Sequence, residues 1–218
     1  MTKTIVQGKL ITGIGDGYLQ KMTSDGLGSK PIAYDDNIYQ VPSIDKVAFK
    51  GDSKTKPIYL SNKKVADLGK YSSVELTVDF GWFPPGFIEE MTGMKKLADG
   101  SYVQGDSPVA KNFRWAFPVT DQDGSEIIYN FPKCQIEPID FNAETETDDK
   151  KEQMQQVKIK AYALVIKGGT SVVYSKLDTR VNNNYDRDKL LEVGFYDETT
   201  LKACLKSGGT DTTALPTA

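Results

Sequence analysis

Few residues of this chain have types and spacing suited to chemistry, and two carboxylates are the best placed of them. Glu75 and Asp79 lie four residues apart in Ser73-Val-Glu-Leu-Thr-Val-Asp-Phe80, so a strand through this segment would put both on one face. Spaced carboxylates can serve acid–base chemistry, as in the cleft of a glycoside hydrolase. Charged residues on one strand face are also typical of a solvated sheet surface, and this second interpretation is favoured.

Histidine is absent from the 218 residues, which removes the commonest general base and the commonest metal ligand. Ser-His-Asp triads, Cys–His pairs and histidine-based zinc sites are therefore excluded. Cys134 and Cys204 are far apart in the sequence and fit neither a CxxC redox pair nor a zinc site. We expect two buried, reduced thiols, no cofactor, no metal site and no enzymatic activity.

Two glycine-containing motifs begin like known sites and then depart from them. Gly13-Ile-Gly-Asp-Gly-Tyr18 starts like a dinucleotide fingerprint, but Tyr18 stands at the third glycine position and no βαβ unit follows. Asp121-Gln-Asp-Gly124 resembles the middle of a calcium loop, yet Val119 and Asn130 occupy its first and last ligand positions. The first motif predicts no nucleotide site, and the second predicts a hairpin turn.

Ligand pockets and charged partners are only weakly indicated. Aromatic residues at alternating strand positions could line a pocket, but they are more often core. The residues in question are Trp82, Phe83, Trp115, Phe117 and Tyr129.

The formal net charge of −3 provides no field that would draw the molecule onto nucleic acid or an anionic membrane. No apolar run is long enough to span a bilayer and no signal peptide is visible, so we expect a protein of the reducing cytoplasm.

Strands must position these residues, because the dominant hydrophobic period is two. Around residues 73–80 an apolar set alternates with a polar set, which predicts one dry and one wet face. The apolar set is Val74, Leu76, Val78 and Phe80, and the polar set is Glu75, Thr77 and Asp79. Segments Phe113–Val119 and Ile127–Phe131 alternate in the same way around residues 121–124, which predicts a β-hairpin.

A further long strand is predicted from Met154 to Lys167. Its inward register would be Val157, Ile159, Ala161, Ala163 and Val165. Weaker strand signals lie at Ile44–Phe49, Pro57–Leu60, Ile136–Phe141 and Ser171–Tyr174.

Two short helices complete the predicted elements. The first follows Pro84 and spans Pro85 to Met91, and its stripe of Phe87, Ile88 and Met91 is expected to pack on the sheet. The second runs from Asp197 to Lys206 with Asp197 as N-cap. Its apolar members are Leu201, Cys204 and Leu205.

The predicted fold is mainly β, with one short helix after the strongest strand and a second short helix near the C-terminus. Composition predicts loops at Gly13–Gly28, Ala98–Pro108 and Glu144–Glu152. The predicted organisation is an N-terminal arm and loop over residues 1–40, a β domain over 41–167, a C-terminal extension over 168–206 and a disordered tail over 207–218.

The order of strands and helices from Val41 to Ile166 is the most informative feature, because none of the motifs considered above indicates a catalytic, metal or nucleotide site. The segments that carry it are Val74–Phe80 followed by Pro84–Gly93, then Phe113–Phe117 through Gly124 to Ile127–Lys133, then Val157–Leu164. This order resembles the major tail tube proteins of long, non-contractile-tailed bacteriophages, in the group found in phages of Gram-positive hosts. The resemblance covers a little over half of the chain.

The resemblance implies a structural virion protein rather than an enzyme. In that family each copy is a β-sandwich with a flanking helix, which implies such a sandwich over residues 41–167 here. Six copies close into a ring, the inner sheets join into one β-barrel, and stacked rings form the tube through which DNA leaves the capsid. It implies that Glu75, Thr77 and Asp79 face the lumen and that acidic strand faces keep DNA from binding. Implied partners are further copies of the chain and the tape-measure, tail terminator and distal tail proteins, within a virion tail assembled in the host cytoplasm.

Two other functions remain open from the sequence. One is a carbohydrate- or receptor-binding β-sandwich, which would expose aromatic side chains. The other is a carboxylate-based glycoside hydrolase, which would need a cleft containing paired acids.

Overall fold

Antiparallel strands make up most of the chain. The structure is a computed structural model that describes residues 10–27, 30–42, 44–60, 63–138, 155–167 and 169–207, of which 53–60 and 63–72 are described by their backbone alone. The strands are β1 (Ile11–Ile14), β2 (Gly17–Asp25), β3 (Ile32–Val41), β4 (Ile44–Leu60), β5 (Lys63–Phe80), β6 (Lys95–Lys96), β7 (Tyr102–Val103), β8 (Phe113–Asp121), β9 (Glu126–Ile136), β10 (Gln155–Tyr162), β11 (Leu164–Val165), β12 (Ser171–Val172) and β13 (Ser175–Asp178). The helices are α1 (Phe87–Met91), α2 (Arg187–Glu192) and α3 (Glu198–Ala203). The predicted mainly β fold is confirmed.

One large sheet organises these strands in the order β3-β2-β8-β9-β10-β5-β4, with β1 added to β8 and β13 added to β9. The sheet curls over itself. A side chain at Gly17 in β2 would lie 2.8 Å from the Cδ1 atom of Ile44 in β4, and the rings of Phe49 in β4 and Tyr129 in β9 are 5.6 Å apart. Strand β4, at one end of the strand order, therefore packs against β2 and β9, in the manner of a β-sandwich.

The inner face of the curled sheet holds the main core. On β5 the residues Val74, Leu76, Val78 and Phe80 are at most 1% exposed. The alternation predicted for this strand is confirmed. On the hairpin, Trp115, Phe117 and Phe131 are equally buried, and Gly124 in its turn has φ +76. The predicted β8–β9 hairpin is confirmed as well.

A second, smaller core covers part of the outer face of the same sheet. It joins Ala116 of β8 and Ile128 of β9 to the C-terminal segment. That segment contributes Leu177, Tyr185, Leu190, Leu191, Phe195 and Cys204. Both cysteines are free and buried, as the sequence predicts.

Three predictions of local structure are wrong. The predicted loop Gly13–Gly28 contains β2, in which Leu19 is fully buried between β3 and β8. The inward register of the long strand ends at Ala161, because the chain leaves β10 at Tyr162. Beyond that point Leu164 is buried and Val165 is 51% exposed. Trp82, considered as core or pocket lining, is 52% exposed.

The helices follow their local sequence signals. Helix α1 begins at Phe87 rather than at residue 85, after Gly86 at φ +77. For α3 the predicted N-cap is confirmed, because the Asp197 carboxylate accepts from the Thr200 amide at 2.7 Å. Helix α2, which the sequence reading missed, is capped in the same way by Asp186.

The remaining predictions concern loops and domain boundaries. The predicted loop Ala98–Pro108 contains the short strand β7, whereas the segments 144–152 and 208–218 and the end of the predicted strand Ile136–Phe141 lie outside the described residues. The division into arm, sandwich and extension stays a prediction. No helix within the described ranges is long and apolar enough to cross a membrane.

Candidate functional site

The candidate surface is the outer side of β4, β5 and β10, which we call the polar face. The structure places Glu75, Thr77 and Asp79 together on it, because they alternate with the buried residues of β5. The Glu75 side chain is 57% exposed, and Thr77 and Asp79 are partly buried. These three residues share one surface of a single chain.

Cross-strand pairing surrounds each carboxylate of β5 with other side chains. Glu75 lies opposite Lys50 on one side and Lys160 on the other, and the Lys160 Nζ atom is 3.6 Å from its carboxylate. Asp79 lies opposite Lys46 and Gln156, and the Gln156 Nε2 atom donates to its carboxylate at 2.7 Å. Directly opposite residues share a face, so each acid is flanked by groups that balance its charge.

The polar face is therefore mixed in charge. Its basic members on the three strands are Lys46, Lys50, Lys158 and Lys160, and its acidic members are Asp52, Glu75 and Asp79. The expectation of an acidic strand face is wrong here, because β4 and β10 place lysines on this face, directly across from residues of β5. A single strand pattern could not show this, since the neighbours of a strand are set by the sheet order.

The geometry of the polar face disfavours glycosidase chemistry. Two residues four positions apart on one strand have Cα atoms separated by about 13 Å, whereas the paired acids of glycosidases have carboxyl groups roughly 5 to 9.5 Å apart. Within the described residues, no three cysteine or carboxylate side chains are grouped so that they could hold a metal ion.

An open groove lies between α1 and the ends of β9 and β10. It is lined by Ile88, Glu89, Thr92, Met94, Gln104, Pro108, Ala110, Ile136, Pro138 and Gln155. Among the lining residues that the structure describes, Glu89 is the one titratable residue. A lone, partly buried carboxylate among these residues lacks the partner that acid–base catalysis needs.

Helix α1 borders the main core. Phe87 and Met91 are 1% exposed and Ile88 packs against the core while partly buried. The Phe87 ring centroid lies 5.0 Å from that of Tyr39 and 5.6 Å from that of Phe113. The helix thus contacts both β3 and β8.

On the solvent side of α1, Glu90 accepts from Lys21 at 2.6 Å and from Lys111 at 3.2 Å. The hydrogen bond from Lys21 is the main cause that lowers the pKa of the Glu90 carboxyl. The pair joins α1 to β2.

A buried arginine, which the sequence analysis did not single out, holds the C-terminal segment on the outer face. Arg114 of β8 is fully buried, and its guanidinium donates to four neutral oxygens. These are Gln20 Oε1 at 3.2 Å, Asn130 Oδ1 at 3.3 Å, the Leu191 carbonyl at 2.9 Å and the Glu192 carbonyl at 2.6 Å. The last two carbonyls are at the C-terminal end of α2, where a cation is favourable.

Burial shifts the pKa values of Arg114 and Cys134. Desolvation lowers the pKa of Arg114 to about 10, which keeps the guanidinium charged at neutral pH. Burial raises the pKa of the Cys134 thiol. Neither group is poised for proton transfer, and a buried thiol of raised pKa is a poor nucleophile.

Asn130 and Gly194 complete the arginine site. The Asn130 side chain accepts from Arg114 and donates to the Phe195 carbonyl at 2.7 Å. Gly194 has φ +76, and a side chain there would overlap the Arg114 guanidinium. The sequence signal for this site is a charged residue inside the alternating aromatic run Phe113–Phe117, which marks a second buried face.

Exposed aromatic side chains occur at the open end of the main core. Phe49 of β4 and Tyr174 are each 42% exposed, and their ring centroids are 6.2 Å apart. Tyr129 of β9 lies behind Phe49 and is partly buried. This small aromatic surface is the feature that a ligand-binding module would use.

Several solved structures are similar to this chain, and two of them come from the anti-feeding prophage. A chain of the anti-feeding prophage cap, described as the tube terminating cap, is 12% identical with a TM-score of 0.47, covering 81% of this chain and 96% of that chain. A chain of the six-fold symmetrised anti-feeding prophage baseplate is 6% identical with a TM-score of 0.37, covering 81% of this chain and 97% of that one. No protein-family model and no curated protein matches the sequence.

Proposed function

We propose that this protein is a structural subunit of a phage tail that polymerises as stacked six-membered rings and forms the tail tube. The observation that carries the proposal is the division of the outer face of its sheet. Over β8 and β9 that face is covered by α2 and α3, and over β4, β5 and β10 it is open and polar. A subunit of a tube needs such a pair of surfaces, one buried in its own fold and one facing a channel.

In this proposal Glu75, Thr77 and Asp79 face the lumen together with the lysines beside them. Each carboxylate is flanked by a lysine directly across the sheet, so the face offers phosphates neither a basic stripe nor a strongly repulsive one. Near-neutral patterning allows DNA to pass without specific binding. In this proposal the lysines of the polar face balance its carboxylates, whereas the sequence suggested an acidic face that repels DNA.

The resemblance in element order supplies the wider context of the proposal. The expected partners are further copies of the chain and the tape-measure, tail terminator and distal tail proteins, in a virion tail assembled in the host cytoplasm. The inner sheets would join into a β-barrel when the ring closes, which removes the strand edges of each copy. The proposed role is non-enzymatic.

Sedimentation velocity and negative-stain electron microscopy of the purified full chain at high concentration test the proposal. Rings with sixfold symmetry, or tubes built of them, are the expected result. A monomer before assembly agrees with the family, so the decisive sample also contains the tail-tip complex that starts assembly. A chain that stays monomeric in that sample would contradict the tail-tube function.

A second candidate function is a carbohydrate- or receptor-binding module of a phage tail, which the exposed pair of Phe49 and Tyr174 favours. Aromatic faces of this kind stack on sugar rings. Titration of the monomer with host cell-wall polysaccharide, followed by calorimetry, separates the two functions. Binding that is lost in Tyr174→Ala, without any ring formation, would favour the module.

A further inference from the structure

The two ends of the main sheet differ in how they meet the solvent. On β3, the three residues Asp35, Asp36 and Asn37 stand opposite one residue of β2, between the pairs Tyr34–Met22 and Ile38–Gln20. The Asp35 carboxylate accepts from the Asn37 amide at 2.9 Å, which stabilises this acidic bulge. Such a bulge interrupts the edge and projects an exposed Asp36 from it.

The edge of β4 is straight and incompletely covered. From Lys46 to Asp52 it pairs with β5 without a register shift. Leu76 of β5 is 1% exposed, but Phe49, which lies directly across from it on the edge strand, is 42% exposed. One more strand or a projecting segment beside β4 would cover this apolar surface.

The charges of the two edges are complementary. Strand β3 has the sequence Ile-Ala-Tyr-Asp-Asp-Asn-Ile-Tyr-Gln-Val, with two acids and no base. On β4 Lys46 and Lys50 are exposed, and their side chains lie on the face of the strand opposite that of Phe49. Lys46 and Lys50 therefore supply cations that β3 lacks, beside the acids Asp45 and Asp52 of the same strand.

Two-fold pairing of β4 with its own copy is disfavoured in the register centred on Ala48, whereas the register centred on Phe49 would bring Lys46 opposite Asp52. In a two-fold antiparallel pair centred on Ala48, Lys46 of each copy would stand directly opposite Lys50 of the other. Like charges directly opposite one another are destabilising. A contact between different edges avoids this repulsion, and such a contact builds rings or filaments rather than closed dimers.

We propose that the β4 edge from Lys46 to Asp52 binds the acidic β3 edge of a second copy of this chain, with Asp36 facing the two lysines. This inference rests on the proposed tail-tube function, since it names the contact between neighbouring subunits of a ring. The contact covers Phe49 and pairs the charges of both edges.

A charge-reversal experiment with mixed variants tests the contact. One variant carries Lys46→Glu and Lys50→Glu, and the other carries Asp36→Lys. In either variant by itself, the β4 edge of one copy meets a β3 edge of the same charge. The protein concentration needed for half-assembly, measured by sedimentation velocity, should therefore rise at least about tenfold. An equimolar mixture should recover assembly, because alternating copies in an even-membered ring again meet with opposite charges.

Lys167→Glu and Asp106→Lys are the matched controls, since both residues are exposed and lie away from the two edges. They should assemble like the unmodified chain. Far-UV circular dichroism and thermal melting establish that each variant is folded. If a reversal variant is unfolded, the neutral variants Lys50→Gln and Asp36→Asn replace it, and they should weaken the salt dependence of assembly.

The outcomes separate the contact from the function. If the unmodified chain never assembles, even with the tail-tip complex present, the tail-tube proposal and this contact both fail. If it assembles and the folded reversal variants assemble equally well, only the contact is wrong. If Asp36→Lys assembles normally while the variant with both lysines changed to Glu does not, the β4 edge binds a surface other than β3. If the equimolar mixture of the two variants does not assemble, the proposed contact is also wrong.

Discussion

Arg114 donates a hydrogen bond from its Nη2 atom to the backbone carbonyl of Leu191 at 2.9 Å, so a central strand of the sheet holds the end of α2. The arginine is fully buried, and its described acceptors are neutral oxygens. The C-terminal segment is therefore joined to the sheet by directional bonds as well as by its small apolar core. Loss of these bonds leaves buried carbonyls without donors, which is costly.

Arg114→Met should destabilise the protein by about 3 kcal/mol, because it removes the donors to both carbonyls of α2 while keeping most of the side-chain volume. Urea denaturation followed by circular dichroism measures the change. Arg187→Met is the control, since this arginine is 45% exposed in its ion pair with Glu126 and should cost less than about 1 kcal/mol. Equal losses in the two variants would contradict the role of Arg114.

Gly194→Ala should also loosen the C-terminal segment. The added methyl group would lie 2.9 Å from Asn130 Oδ1 and overlap the Arg114 guanidinium, at a residue with φ +76. Gly124→Ala is a matched control, because that glycine has the same φ but no neighbour within 4 Å of the added carbon. The control should cost about 1 to 2 kcal/mol from backbone strain alone. The difference between the two melting curves then reports the overlap, and its absence would show that the site can relax.

Phe87→Ala should cost roughly 3 to 5 kcal/mol, because the side chain is buried against aromatic neighbours on β3 and β8. Ile88→Ala, at a partly buried position of the same helix, should cost clearly less. Chemical denaturation of both variants checks the order. A loss below about 1 kcal/mol for Phe87→Ala would mean that the helix contributes little to the core.

The ion pair of Glu90 and Lys21 should make a small, pH-dependent contribution. The folded pKa of Glu90 lies below its ordinary value of 4.5, mainly because of the hydrogen bond from Lys21. The stabilisation is therefore fully present above pH 4.5 and is lost as the pH falls through the lower folded pKa. Since the carboxylate is 35% exposed, Glu90→Gln should lower the free energy of unfolding by less than about 1 kcal/mol at pH 7. At a pH below the folded pKa of Glu90, the substitution should not change it. A difference between native and variant stability that grows on acidification would contradict this sign.

Strand patterns predicted the inner face of the sheet well and its outer face poorly. The alternation around Leu76 is a local property, so burial against the core could be read from the chain itself. The lysines beside Glu75 come from strands β4 and β10, and their rows depend on a sheet order that no local pattern specifies. Arg114 was missed for a related reason: a charged residue in an apolar run is buried here because distant helix carbonyls accept its hydrogen bonds.

Burial between two neighbours also overrode the composition of β2. The glycines around Gly17 predict a loop, but Leu19 is covered by pairing on both sides and the segment becomes a central strand. Gly17 itself fits where Ile44 of the opposite layer approaches closely. Tertiary packing decides such segments, and the local glycine signal then marks a close approach instead of a turn.

The last prediction concerns the polar face, where Glu75 and Asp79 each balance a lysine across the sheet. The double variant Glu75→Gln, Asp79→Asn leaves the lysines uncompensated, and sixfold repetition in the proposed ring would turn this into a basic band. Folding should change by only about 0.5 kcal/mol, because both positions are on the surface. Ejection of DNA, followed by dye fluorescence, should slow, and added salt should restore it as counterions compete for the lysines. Glu89→Gln is the control, since it removes a carboxylate from the groove beside α1. Ejection at the normal rate in the double variant, with folded tubes present, would place the polar face outside the channel.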